Sequence, residues 1–349
     1  MAYDIIRMKE TAAIALSGGV DSLVAGHIIK SAYTNVIGLH FITGFENHDP
    51  ENLKFISDQL DIPLYTVDLS QEFKKIVVHS FVATYLSGKT PNPCMICNPA
   101  IKFGLLFNHA EKFGARFLAT GHYARILENE MGVPMLCKGL DTLKDQSYFL
   151  ARLSTNHLSR TLFPLGALVK SRVKEMAAAA GLVPVHQSES QDVCFIQSRK
   201  YQDFLEEMGV KGTPGYITDT DGNVIGNHEG LFRYTVGQRR GINCPAEFPY
   251  YVVRLDVPNN RLIVGFKDKV FTENCLVGDL VWHETPVRYP FIASVKLRYR
   301  HNAVSADITQ ADAGKLKVWF HTPQAAVTPG QGAVFYDGDK VLGAGWIES

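Results

Sequence analysis

Apolar and polar positions along the first part of the chain change period repeatedly. Residues 11–16 form a short apolar run, Gly18 and Gly19 interrupt it, and residues 22–31 then carry apolar side chains at helical spacing. This predicts strand, glycine loop and helix. Residues 36–41 read as a second strand, 51–60 as a helix, 64–67 as a third strand, 71–86 as a long helix and 117–120 as a further strand. Strands separated by helices predict a parallel sheet covered on both faces, with ligands beyond the carboxyl ends of its strands. Helical periodicity fades after about residue 200. Hairpin punctuation follows: Thr220-Asp221-Gly222-Asn223, then Pro258-Asn259-Asn260 between strand patterns at 251–255 and 262–264. From about residue 275 apolar positions alternate with polar ones (Ala293, Val295, Leu297; Leu316, Val318, Phe320; Ala333, Phe335; Val341), with turns at Pro329-Gly330 and Asp337-Gly338. That pattern predicts a small antiparallel β-barrel. The expected class is α/β: a parallel-sheet domain over 1–205, a small central domain over 206–275 and a C-terminal antiparallel β-barrel over 276–349.

The length of 349 residues corresponds to two or three domains at about 150 residues each. A hydrophobic content of 46% against 20% charged residues excludes a solvated coil. Lys plus Arg and Asp plus Glu both number 35, so no global charge draws the chain to nucleic acid or membrane, and a polyanion must be met by a local patch. No signal-peptide pattern is legible at the N-terminus, and no window reaches the roughly 18–20 apolar residues that span a bilayer. A cytoplasmic protein is expected. Six cysteines are too few for a disulfide scaffold; Cys94 and Cys97 lie close together, whereas Cys137, Cys194, Cys244 and Cys275 are scattered and, Cys194 apart, expected only to pack.

Two local patterns carry chemistry. In Ser17-Gly18-Gly19-Val20-Asp21-Ser22 the glycines let successive N–H groups converge at the positive end of the following helix, a nest suited to phosphate. An ordinary turn capped by Asp21 or Ser22 is the plainer reading. The hexapeptide resembles the PP-loop of ATP pyrophosphatases, which release pyrophosphate while adenylating an oxygen, and it lacks the Gly-Lys-Ser/Thr of a Walker loop. The second pattern is Thr90-Pro91-Asn92-Pro93-Cys94-Met95-Ile96-Cys97-Asn98. Its prolines exclude helix just before the cysteines and predict a rigid loop that presents them. Cys-x-x-Cys suits half a zinc site or a reactive pair; no second Cys-x-x-Cys and no His-x-x-x-His exists, so reactive thiols, with Lys102 and the onset of a helix available to lower a pKa, are the expectation and no bound metal is. A third segment, Ser188-Glu189-Ser190-Gln191-Asp192-Val193-Cys194-Phe195-Ile196, sets a cysteine among acidic and polar neighbours.

Taken with Ala119-Thr120-Gly121-His122-Tyr123-Ala124-Arg125, Lys144-Asp145-Gln146-Ser147-Tyr148-Phe149-Leu150 and Tyr234-Thr235-Val236-Gly237-Gln238-Arg239-Arg240-Gly241, these segments resemble the tRNA-specific 2-thiouridylase family over nearly the whole chain. The resemblance implies a PP-loop ATPase domain and ATP-dependent 2-thiolation of the wobble uridine of tRNA. It implies Cys97 as nucleophile and Cys194 as persulfide carrier. Ala15, Leu16, Ser17, Gly18, Gly19, Val20, Asp21, Ser22, Phe41 and Gly121 would bind ATP, with Mg2+ on its phosphates. Asn92, Pro93 and Cys94 would receive the target base, and His122, Lys144, Asp145, Gln146, Arg298, Tyr299, Arg300 and Gln331 would contact tRNA. A sulfur-donor protein, either a desulfurase or a relay protein, is the expected partner of a monomer.

Two departures from the family pattern stand out. Some members carry Asp three residues before the nucleophile where this chain has Cys94, and His186-Gln187-Ser188-Glu189-Ser190 replaces a Lys-Lys-Asp-Ser run. For RNA, residues 138–174 hold seven cations (Lys138, Lys144, Arg152, Arg160, Lys170, Arg172, Lys174) against Asp141 and Asp145, and residues 288–301 hold four Lys or Arg and no acid, with Tyr289, Phe291 and Tyr299 interleaved. Solvated surface faces are the plainer reading of either cluster. The competing functional readings are another PP-loop ligase that adenylates a small-molecule carbonyl or carboxylate, and a non-catalytic RNA-binding or sulfur-carrier protein.

Overall fold

The structure, a computed structural model, describes residues 8–45, 49–185, 193–196 and 199–349. The chain divides into two units: Met1–Ile76, Cys94–Phe195 and Asp339–Val341 form the first, and Val77–Pro93, Ile196–Gly338 and Leu342–Ser349 the second.

In the first unit β1 (Met8–Ala15) runs through Ala12, Ala13 and Ile14, none of them exposed, the continuous apolar run of a strand covered on both faces. The chain continues through α1 (Val20–Ala32), β2 (Tyr33–Ile42), α2 (Pro50–Leu60), β3 (Leu64–Asp68) and β4 (Ala115–Ala119). An antiparallel hairpin of β5 (Ala124–Glu128) and β6 (Pro134–Lys138) follows, then the short β7 (Thr161–Leu162). The main sheet has the order β3-β2-β1-β4-β7 and every pairing is parallel. Leu23, Val24, Ala25 and Ile29 of α1 and Ile56 and Leu60 of α2 pack with Ala12 and Ile14 of β1 in one core. Asp49 caps α2 by accepting from Glu51 N, one residue before Pro50, where a missing N–H costs nothing.

The second unit holds two β structures. β8 (Gly215–Thr218), β9 (Val224–His228), β10 (Tyr251–Asp256) and β11 (Arg261–Gly265) make a sheet of order β10-β11-β8-β9 around Ile217, Val252, Leu262 and Val264. β12 (Phe271–Trp282), β13 (Phe291–Lys296), β14 (Val304–Gln310), β15 (Leu316–Ala325), β16 (Gly332–Asp337) and β17 (Lys340–Ile347) follow the order β12-β15-β14-β13-β16-β17 and close through β12–β17. The result is a six-stranded antiparallel barrel. Val295, Ala306, Ile308, Val318 and Phe335 fill it with no exposure.

Two expectations need correction. Residues 71–86 are helical but not one α-helix: Ser70–Phe73 and His79–Leu86 flank a π segment at Lys74–Val78, and the two units divide inside it. Cys94 and Cys97 do not sit on a loop; Cys94–Cys97 is itself a helical turn that begins directly after Pro93 and runs into a π-helix, Asn98–Leu106. Pro91 and Pro93 forbid helix only at and before themselves, and Pro99 lies at the start of the π segment, where the absent N–H has no partner to lose. Among the described residues no helix is long and apolar enough to cross a membrane.

Candidate active site

In the first unit β1 and β4 are neighbours, with β2 and β3 on one side and β7 on the other, so the chain changes direction across the sheet between them. The crevice beyond their carboxyl ends is where such sheets bind ligands. Ala15 ends β1, and Leu16 to Gly19 lead into α1, whose N-cap, Gly19, offers no side-chain acceptor to the helix's leading N–H groups. The turn is held from within: Ser22 Oγ donates to Gly19 O at 2.8 Å, and Val185 N donates to Gly18 O at 2.9 Å. Gly18 has φ +81°, a conformation that a side chain would strain. Phe41, paired with Val67 near the end of β2, reaches the same edge of the sheet.

Gly121 follows β4 and meets α1 closely. A Cβ there would lie 2.8 Å from Asp21 C and 2.9 Å from Ser22 N, so only glycine fits. His122 comes next, its Nδ1 2.7 Å from Thr120 Oγ1 and its ring near Phe103 and Phe163, with centroids at 6.1 and 5.9 Å. Burial, and then the charge of Lys102, hold its pKa well below the usual histidine value, so the imidazole is neutral. Phe103 and Lys102 belong to the π-helix that follows Cys97, so this turn joins the glycine loop to the cysteine helix.

Cys97 is 8% exposed, and burial pushes its thiol up to about 12 against the pull of Lys102. A thiolate at Cys194 or Cys94 would push it higher, which puts both sulfurs within electrostatic reach. Cys94 is raised by burial and lowered by the same Lys102. Asn98 fixes this helix by donating to Phe149 O at 2.9 Å. Cys194 is exposed, carried beside Phe195, which is buried against Phe45 and Phe73 at 5.7 and 5.8 Å. No disulfide joins Cys97 to Cys194 in this state. Residues 186–192, which hold the segment where the family pattern is missing, lie outside the described residues.

The residues expected to meet RNA divide by what already holds them. Asp145, 5% exposed, accepts from Gly139 N, Ser147 N and Ser147 Oγ at 2.9–3.0 Å, and Gln146 exchanges bonds with the Tyr123 backbone. Both brace a turn from within. Lys144 is half-buried beside them. In the second unit Arg298 donates to Ala326 O and Thr328 Oγ1, and Gln331 Nε2 donates to Thr90 O at 3.0 Å and Pro91 O at 2.9 Å. Gln331 therefore steadies the stretch that carries Asn92 and Pro93, both buried. Arg300 is exposed, and Lys296 lies 5.4 Å from the centre of the Tyr299 ring. Lys170 is corrected outright: it is no surface cation, because its ammonium is buried against Asp21. The sequence gives no local sign of that pairing, and Tyr123, which also bonds Asp21, stands in a quoted segment without a role. Asp21 has both oxygens on Lys170, and among the described residues no group of three or more His, Cys, Asp or Glu could hold a metal ion. The described residues therefore fit Mg2+ as a companion of a polyphosphate rather than as a metal held by side chains alone.

Residues 10–198 match the family described as tRNA methyl transferase HUP domain, 202–266 the tRNA methyl transferase PRC-barrel domain and 272–347 the aminomethyltransferase beta-barrel domain. With the glycine loop at the sheet's switch point, this defines the class: an α/β HUP-domain enzyme extended by two β modules. The chain is 48% identical over 340 residues to the tRNA-specific 2-thiouridylase of Desulfosudis oleivorans, covering 97% of this chain and 94% of that one; the enzymes of Geobacter metallireducens (39%; 98% of each chain) and Geotalea uraniireducens (40%; 97% and 95%) are similar. The chain belongs to the tRNA-specific 2-thiouridylase family.

Proposed function

We propose that this enzyme carries out ATP-dependent 2-thiolation of the wobble uridine of tRNA. The observation that supports this reading most is the presence, in one unit, of a glycine loop at the switch point and of Cys97 and Cys194 near enough to influence each other electrostatically. The C2 carbonyl of uracil is a poor electrophile. Its oxygen attacks the α-phosphorus of ATP, pyrophosphate leaves, and the N3 proton is lost. The terminal sulfur of a Cys194 persulfide adds to C2, and AMP leaves with its oxygen. Cys97 thiolate then attacks Cys194 Sγ; the base keeps the outer sulfur, N3 is reprotonated, and the Cys97–Cys194 disulfide formed is reduced by an external dithiol. Release of hydrosulfide by Cys97 attack on the persulfide, followed by its addition to C2, is the second route to the same product.

Residues 15–22, Phe41 and Gly121 bind ATP in this scheme, with Mg2+ on the phosphates. Asn92, Pro93 and Cys94, directly ahead of Cys97 in the chain, take the flipped base. His122, Lys144, Tyr299 and Arg300 contact the tRNA directly, and Asp145, Gln146, Arg298 and Gln331 act through the segments they brace. The proposal includes the three segments 1–205, 206–275 and 276–349, a cytoplasmic monomer, and a sulfur-donor protein. Thiolation in vitro tests it: protein, ATP, magnesium, a persulfide-generating donor (a cysteine desulfurase with cysteine), a dithiol and unmodified tRNA, read as retarded migration on an organomercury gel. An ATP-dependent shift that is lost in Cys97→Ser and Cys194→Ser is expected. ATP splitting to AMP without any shifted tRNA would overturn the substrate assignment.

A further inference from the structure

The glycine loop contains a carboxylate where a triphosphate is to bind. Asp21 lies in the first turn of α1, and an acid there has two ways to spoil an anion site. Its charge repels phosphate directly. Its oxygens can also turn back and cap the N–H groups that the phosphate needs. The structure prevents both. Lys170 Nζ lies 2.7 Å from each Asp21 oxygen, and the Tyr123 hydroxyl donates to Oδ1 at 2.6 Å. Lys170 is itself fixed at both ends: it opens the helix Lys170–Ala179, and its backbone N–H donates to Asp141 Oδ2 at 2.8 Å. Its side chain is only 10% exposed, against 32% for Asp21, so the lysine is the more enclosed partner and the carboxylate keeps some access to solvent.

We propose that Lys170 is a positioning residue for ATP, which holds and neutralises Asp21 so that the N–H groups of the glycine loop stay open to the triphosphate. This rests on the ATP reading above. The full-length protein tests it through calorimetric titration with Mg-ATP and thiolation kinetics on wild type, Lys170→Met, Lys170→Arg and the double variant Asp21→Asn/Lys170→Met. Lys170→Met is expected to raise both Kd and KM for ATP by at least about fivefold, with binding stoichiometry and kcat at saturating ATP nearly unchanged. The double variant, with no charge left to neutralise, is expected to bind more tightly than Lys170→Met. A merely structural lysine would instead lower the stoichiometry and the melting temperature and leave the Kd of the folded fraction alone. A smaller rise in Kd, or a double variant no tighter than the single, overturns the proposal. Should Lys170→Met not fold, Lys170→Arg and the double variant carry the test, and a loss of more than about tenfold in either overturns it. A wild-type protein that binds no ATP would instead remove the nucleotide reading, and this one with it.

Discussion

Cys97 and Cys194 occupy opposite environments for the same functional group. Cys194 is exposed, and Cys97 is buried with a thiol near 12. Thiolate is the nucleophile, so at neutral pH the resting Cys97 is inert, and the step proposed for it needs its burial relieved in the reacting complex. Iodoacetamide followed by peptide mass spectrometry checks this: Cys194 labels first, and the Cys97 rate rises about tenfold per pH unit between about pH 7 and 9 without levelling, because its thiolate fraction grows throughout that window. Equal labelling of the two at neutral pH would refute it. Lys102→Met removes the cation that pulls Cys97 down and is expected to slow its labelling further. The same cation and the same burial act on His122, whose pKa falls well below 6.5, so its ring resonances stay flat between about pH 6 and 8 in NMR spectra.

At the scale of elements, the turn after β4 ties the glycine loop to the cysteine helix, and Gly121 is its tightest point. Gly121→Ala drives a methyl into the Asp21–Ser22 backbone. A cost of about 1–3 kcal/mol in a urea titration is expected, together with weaker ATP binding. The turn from Gly139 to Ser147 depends equally on one carboxylate. Asp145→Ala orphans three donors and is expected to cost on the order of 3 kcal/mol by the same measurement. What could be read in advance follows from range. Four strands of the parallel sheet, the helices α1 and α2 and the hairpin turns at 220–223 and 258–260 each carry a complete local period and fold close to where that period puts them, whereas β7, two residues long, carries none. The β5–β6 hairpin was illegible because its strands are short and Leu127 faces out. The π segments escaped because a window tuned to 3.6 residues cannot separate them from α-helix. The glycine loop and the cysteines announce themselves by motif, whereas Lys170 meets Asp21 only through the tertiary fold.

For the whole molecule, zero net charge means that an RNA partner must be held by local cations, and the structure reduces their number. Lys170 is paired internally, Arg298 is bonded to the barrel's own backbone, and Arg160 pairs with Glu111. Arg300 remains exposed. Arg300→Ala is expected to lower the slope of log Kd for tRNA against log salt by about one unit, whereas Arg298→Ala is expected to lower the melting temperature and leave that slope in place; gel-shift titrations across a salt series separate the two.

The first unit also takes Asp339–Val341 from far along the chain: Lys340 pairs with Cys137, and Arg125 reaches Asp339 at 2.7 Å. A ribosome thus releases every strand of the parallel sheet long before it releases the segment that closes the neighbouring hairpin. Until codon 339 has been read, the nascent chain displays β6 with an open edge. A message broken between the codons for β6 and that segment yields a product that keeps the edge open, the kind of unpaired strand that invites association.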